Sequence, residues 1–141
     1  MIRELVTDDL PAIAKLLKEL GYNTSLAALK QKTADLESDN EYKVLVDIED
    51  ENIVGLIALH TMSLFHRDGK IGRITSFVVD ESYRGNRASK MLLEASIEFF
   101  KQEGCTSCEA AGGMVKSNLR KQFLDHGYKD EDHYLTKAFR R

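Results

Sequence analysis

The stretch "VVDESYRGNRASKMLLEASIEFFKQEG", Val78 to Gly104, decides how the rest of the chain is read. A β-branched run stops at an acidic turn, and a small, basic segment then opens a helix. That helix closes at Gly104, the residue type that most often ends one. A helix starting near Asn86 presents unpaired backbone amides and the positive end of its dipole. Gly85 permits close approach to the turn, and Arg84, Arg87 and Lys90 surround those amides with positive charge. Such a junction suits an anion, and three cations with an amide nest suit a pyrophosphate better than a carboxylate. An ordinary turn whose basic residues face water fits the same residue types. The stretch has neither the G-x-G-x-x-G of a dinucleotide fold nor the G-x-x-x-x-G-K-[ST] of a P-loop.

Outward from this junction the chain alternates strands and helices. Upstream, Ile2 to Val6 reads as a first strand, and Thr7 as the cap of a helix carrying Leu10, Ile13, Leu16, Leu17 and Leu20. A second helix follows Thr24 or Ser25, with Leu26, Leu29, Thr33 and Leu36 inward. "YKVLVDIE", the turn "DEN" and "IVGLIALHTMSLF" form a hairpin, and "IGRITSFVVD" is the next strand. The helix from Ser89 to Gln102 turns Met91, Leu92, Ala95, Ile97, Phe99 and Phe100 inward. Downstream, "TSCEAAGG" is a strand, and "VKSNLRKQFLDHGY" a helix with Leu119, Phe123 and Leu124 inward. "KDEDHYLTKAF" is a last strand. No repeat, linker or low-complexity segment interrupts the order β-α-α-β-β-β-α-β-α-β. The expected fold is a single mixed α/β domain over residues 1–141.

Composition bounds the function. With 141 residues, 43% hydrophobic and 30% charged, the chain can bury one core and is not of disordered type. A net charge of -3 offers no general attraction for nucleic acid or an anionic membrane, and neither is expected as a partner. Met1 to Glu4 leads into a polar, capped segment, so no secretory signal is expected and the location is expected to be cytoplasmic. Cys105 and Cys108 are spaced C-x-x-C but follow a helix end and have no second pair, so reduced, packed thiols are expected. The four histidines are scattered without metal-ligand spacing, and no metal is expected.

"FVVDESYRGNRASKMLLEASIEFFKQEGC" followed by "SNLRKQFLDHGY" resembles the GNAT superfamily of N-acetyltransferases, and the order of elements agrees along the whole chain. The resemblance implies the acyl-CoA N-acyltransferase fold, a centrally splayed sheet flanked by helices, with acetyl-CoA as cosubstrate. It implies that the pyrophosphate is held by Arg84, Gly85, Asn86, Arg87, Ala88, Ser89 and Lys90. Arg87 stands at the first signature glycine of that family's loop and Ser89 at its second small residue; a helical Arg87 needs no glycine. Backbone groups at Phe77, Val78 and Val79 match those that pair with the pantetheine arm, beside a splay from the strand at Ser107 to Ala110. Asn118 matches a frequent cofactor contact.

The tyrosine that protonates the departing thiolate in many members is replaced here by Phe123. Glu109, His60 and Tyr134 are the groups expected to move protons instead. Packing or solvated roles compete at each of them, and His126 reads as a partner of its own helix's C-terminal end. The resemblance implies an amine acceptor, on a small molecule or peptide, in a site shaped by Leu20 to Leu26 and Lys129 to His133. Three functions stay open: an acetyl-CoA-dependent N-acetyltransferase, a catalytically weak acyl-CoA-binding protein of the same fold, and an interaction domain without cofactor. Met62, Leu64 and Phe65 form an apolar run from which a homodimer is expected.

Overall fold

The computed structural model describes residues 1–80, 82–83, 87–111, 118–131 and 135–139. Five strands form one sheet in the order β1 (Ile2–Glu4), β2 (Tyr42–Glu49), β3 (Asn52–Ser63), β4 (Lys70–Val79) and β5 (Cys105–Ala110). The first four are antiparallel neighbours, whereas β5 joins β4 in parallel after a helical crossover. The β2–β3 hairpin turns through Asp50 and Glu51, with φ of 49° and 66°, which is the left-handed geometry a two-residue hairpin requires.

Helices α1 (Leu10–Glu19) and α2 (Leu26–Leu36) lie on one face, and α3 (Arg87–Gln102) with the short α4 (Arg120–Asp125) on the other. On the first face, Leu10, Ile13 and Leu17 pack on Val46, Leu56 and Val78. On the second, Leu92, Leu93, Phe99 and Phe100 of α3 and Phe123 of α4 pack on Ile57, Leu59, Ile74 and Phe77. Gly72 is required where α3 crosses β4, because a Cβ there would overlap the Phe100 ring. The inward stripe of α3 is wider than the apolar pattern implies: Leu93 and Ser96 are buried, while Met91, Ala95 and Ile97 are half-buried. Ser96 enters the core because its hydroxyl donates to the Leu93 carbonyl at 2.6 Å.

Several local expectations are corrected. The first strand ends at Glu4, and a 3-10 turn at Thr7–Asp9 precedes α1. Asp9, not Thr7, builds that entry: its carboxylate accepts the Val6 amide at 2.8 Å and both guanidinium nitrogens of Arg3 at 2.8 Å. Ser25 caps α2, accepting the Ala28 amide at 3.1 Å. Leu124 is exposed rather than inward. Residues 129–131 and 135–139 form no strand, and Leu135 and Phe139 are exposed; alternating residues make a strand only where an edge pairs with them. Met62 and Leu64 are half-buried, which leaves Phe65 as a single exposed apolar side chain rather than a patch.

The hydrogen bonds from Arg3 hold the Asp9 carboxyl below its ordinary range. A depressed carboxyl pKa stabilises the fold fully above the unfolded value and loses that contribution as pH falls through the folded value. Asp9→Asn should therefore cost about 1–3 kcal/mol at neutral pH. The difference from wild type should shrink in urea titrations below about pH 4, where the unfolded carboxyl binds its proton. A difference independent of pH would contradict the ion-pair account.

Candidate active site

The site begins where β4 and β5 part. Their parallel pairing runs from Lys70↔Cys105 to Ile74↔Ala110 and stops there, while β4 continues beside β3 as far as Val79↔Gly55. Thr75 is an extra residue against β3, between the pairs Leu59↔Ile74 and Ala58↔Ser76, and its hydroxyl donates to the Ala58 carbonyl at 3.3 Å. A bulge at this place increases the twist and turns the end of β4 away from its neighbour. Among the described residues nothing pairs with the free edge of Phe77, Val78 and Val79, where the sequence expects a pantetheine arm.

A cleft of about 910 Å³ opens along that edge. Phe77, Val78, Val79, Asp80 and Ser82 line one side, Ala111, Asn118 and Leu119 the other, and Leu16, Leu20 and Tyr22 close it from α1 and the turn after it. Its size is that of a pocket for a large small-molecule ligand. Asn118 lines the cleft one residue ahead of Leu119, the N-cap of α4.

The turn after β4 is held by its own side chains. Asp80 accepts the Ser82 amide at 3.1 Å and hydroxyl at 2.5 Å, its carbonyl accepts the Tyr83 amide at 3.1 Å, and the Tyr83 phenol donates to Asp50. Arg84, Gly85 and Asn86 lie outside the described residues. Helix α3 starts two residues earlier than Ser89, at Arg87, and a helical position needs no glycine. The Arg87 guanidinium approaches Glu49 at 4.0 Å. Ala88 and Ser89 are buried and Lys90 is exposed, so the first turn packs its small residues inward and keeps a cation outside.

The proton-handling candidates separate. Glu109 lies on β5 one rung before the parting point and accepts from the Arg73 guanidinium, whose Nε donates at 2.8 Å. His60 is two strands from Glu109, stacked on Tyr42 with ring centroids 4.0 Å apart and with Nε2 3.8 Å from Glu41. It sits behind Arg73 relative to the parting point. Tyr134 and His133 lie outside the described residues. Phe123 is 1% exposed and meets the rings of Phe77 and Tyr128 edge-on at 5.8 and 5.0 Å. His126 ends α4 and places Nδ1 2.8 Å from the Gln122 carbonyl and Nε2 3.1 Å from Glu94.

Two features escape the sequence reading. Tyr128 and Cys108 share a hydrogen bond of 3.1 Å, and burial pushes the Tyr128 phenol well above its ordinary value, followed by that bond. Burial likewise raises the Cys105 thiol, and both cysteines are free and half-buried. Arg73 is the second omission. Its signal was a lone arginine inside the apolar strand "IGRIT", a residue type that needs a partner when partly buried. Among the described residues no group of three acidic, histidine or cysteine side chains is placed to hold a metal, and no helix is long and apolar enough to cross a membrane.

Comparison with known proteins agrees with this geometry. The aminoalkylphosphonate N-acetyltransferase of Salmonella typhimurium is 26% identical over 138 residues, spanning 97% of this chain and 90% of that protein. A GNAT family acetyltransferase structure from Staphylococcus aureus superposes with a TM-score of 0.80 at 25% identity, covering 99% of this chain and 98% of the other. Glucosamine-6-phosphate N-acetyltransferase from Arabidopsis thaliana shares the fold, with a TM-score of 0.82 at 23% identity over 99% and 98% of the two chains. The model of the acetyltransferase (GNAT) family matches residues 5–124, and the chain belongs to that family.

Proposed function

We propose that this chain transfers the acetyl group of acetyl-CoA to a primary amine of a small molecule, by direct attack within a ternary complex. The observation that carries the reading is the free edge of Phe77 to Val79 beside a cleft that runs on to Asp80 and Ser82 in the turn after β4. An extended arm with amide groups can continue the sheet at such an edge, and a pyrophosphate suits the basic helix start. The residues present fit that cosubstrate: Arg84 and Lys90 supply charge, and the amides of Arg87 to Ser89 supply donors. Bound acetyl-CoA supplies an activated acyl group. The neutral amine nitrogen bonds to its carbonyl carbon, the carbon–sulfur bond breaks with its electron pair going to sulfur, and the proton lost by the amine ends on that thiolate, giving the amide and CoA thiol. A small-molecule acceptor is supported by the Salmonella relative, whose name specifies an aminoalkylphosphonate.

Arg84→Ala should weaken CoA binding by about 1–3 kcal/mol in calorimetric titration, the range for a lost charged hydrogen bond. Equal affinity in wild type and variant would reject the loop assignment. One observation favours a second reading, a CoA-binding protein with little turnover: Phe123, which has no proton to give, stands where many relatives by resemblance place a phenol. Binding of CoA without acetylation of any amine would establish that reading.

A further inference from the structure

A second space opens under α2. That helix has no fully buried residue: Leu26, Leu29 and Leu36 are only half-buried, and a groove of about 1180 Å³ remains between it and the sheet. Val44, Leu56, Ala58 and Val78 line the groove from the sheet, and Leu29 and Leu36 from α2. Charged residues of both signs, Lys32 and Glu37 among them, border it from exposed positions. Its distinguishing surface is therefore the apolar wall.

The groove reaches the cleft between β4 and β5. Tyr22, Thr75, Ser76 and Val78 line both spaces. The bulge at Thr75 opens this passage: Thr75 and Ser76 are exposed in mid-strand, although Phe77, Val78 and Val79 after them are buried. Ser76 pairs with Ala58, and Ala58 with Val44, which packs beside α1. Registered partners share a face, so the Ser76 side chain stands on the side that carries α1 and α2. Thr75 spends its hydroxyl on the Ala58 carbonyl. The hydroxyls of Ser76 and Tyr22 have no hydrogen-bond partner among the described residues. A cosubstrate anchored at the start of α3 and paired along Val79 to Phe77 carries its acyl end toward Ser76, where the groove arrives.

We propose that the groove under α2 is the acceptor subsite and takes a primary amine carried on an apolar body, an alkyl or aryl chain. The chain lies between α2 and the wall of Val44, Ala58 and Val78, and the hydroxyl oxygens of Ser76 and Tyr22 accept N–H hydrogen bonds from the amine. This rests on the acetyl-transfer reading and adds the acceptor class to it. The class differs from the aminoalkylphosphonate in the Salmonella relative's name.

The test is calorimetric titration of the CoA-saturated protein with ethylamine, hexylamine and aminoethylphosphonate. Each methylene taken fully out of water strengthens binding about fourfold. Four more of them, in a groove open on one side, should make hexylamine bind at least about tenfold more tightly than ethylamine. Aminoethylphosphonate should bind no more tightly than ethylamine. Ala58→Phe fills the floor of the groove and should abolish the chain-length gain with CoA affinity unchanged. Ser76→Ala should weaken both alkylamines by the same factor and keep the gain. Retained CoA affinity certifies the fold of each variant; where Ala58→Phe does not fold, the wild-type series and Ser76→Ala decide. Equal affinity for ethylamine and hexylamine, a preference for aminoethylphosphonate, or unchanged amine binding in either folded variant would overturn the subsite. Acetyl transfer, followed in parallel, separates the two proposals. A chain-length gain without acetylation rejects only the enzymatic reading, whereas acetylation without that gain rejects only the subsite.

Discussion

Glu109→Gln should lower turnover with a verified amine acceptor by about 100- to 10,000-fold, the range that positioned acid-base assistance supplies. Of the residues the sequence offers for this task, Glu109 stands on β5 one rung before β4 and β5 part. Glutamine preserves the shape of the side chain and its capacity to accept from Arg73, but cannot take a proton at the pH of the reaction. The loss should therefore fall on kcat, with CoA affinity unchanged, which is the pattern of an interaction needed in the transition state. A Glu109→Gln enzyme with wild-type kcat would remove this residue from the proton path. Substrate positioning would then be the catalytic account that remains.

The second large effect is on stability. Phe123→Ala should cost about 3–5 kcal/mol, since it empties a fully buried aromatic site. The site is braced by Phe77 at the cleft edge and by Tyr128, so little collapse is available to fill it. In urea titrations the midpoint should fall sharply at constant slope. A loss below about 1 kcal/mol would contradict core packing at this position, because that is far under the usual truncation cost. Phe123→Tyr places a hydroxyl into the same enclosure, where it needs a hydrogen-bond partner to avoid a desolvation cost. It should leave turnover unchanged and reduce stability, and a gain in turnover would show that the ring reaches the thioester.

The hairpin and the start of α3 were legible because their signals are local. "YKVLVDIE" became β2 at its expected limits, Tyr42–Glu49, and the free edge at Phe77 to Val79 lies where the resemblance implied it. The helical state of Arg87 resolves the departure from a glycine in the loop. What sequence could not show is register. Nothing local to Arg73, Glu109, His60 or Tyr42 says that they stand on one rung, since pairing across 36 residues is set by the packing of whole strands. The bulge at Thr75 is hidden for the same reason: it depends on β4 holding one residue more than β3 between two adjacent pairs. The alternation at residues 135–139 misled because strand formation needs an edge as well as a pattern. Ser96 was missed on α3 because its burial depends on a bond within its own helix, which polarity alone does not reveal.

The central claim is acetyl transfer from CoA in the cleft between β4 and β5. Its most direct test is incubation of the purified chain with isotopically labelled acetyl-CoA and a panel of small primary amines, aminoethylphosphonate included, followed by mass spectrometry of the products. The account predicts a labelled N-acetyl product and release of CoA in equal amounts, both suppressed in Glu109→Gln. CoA release without acetylated amine, or no CoA release with any acceptor, would contradict it.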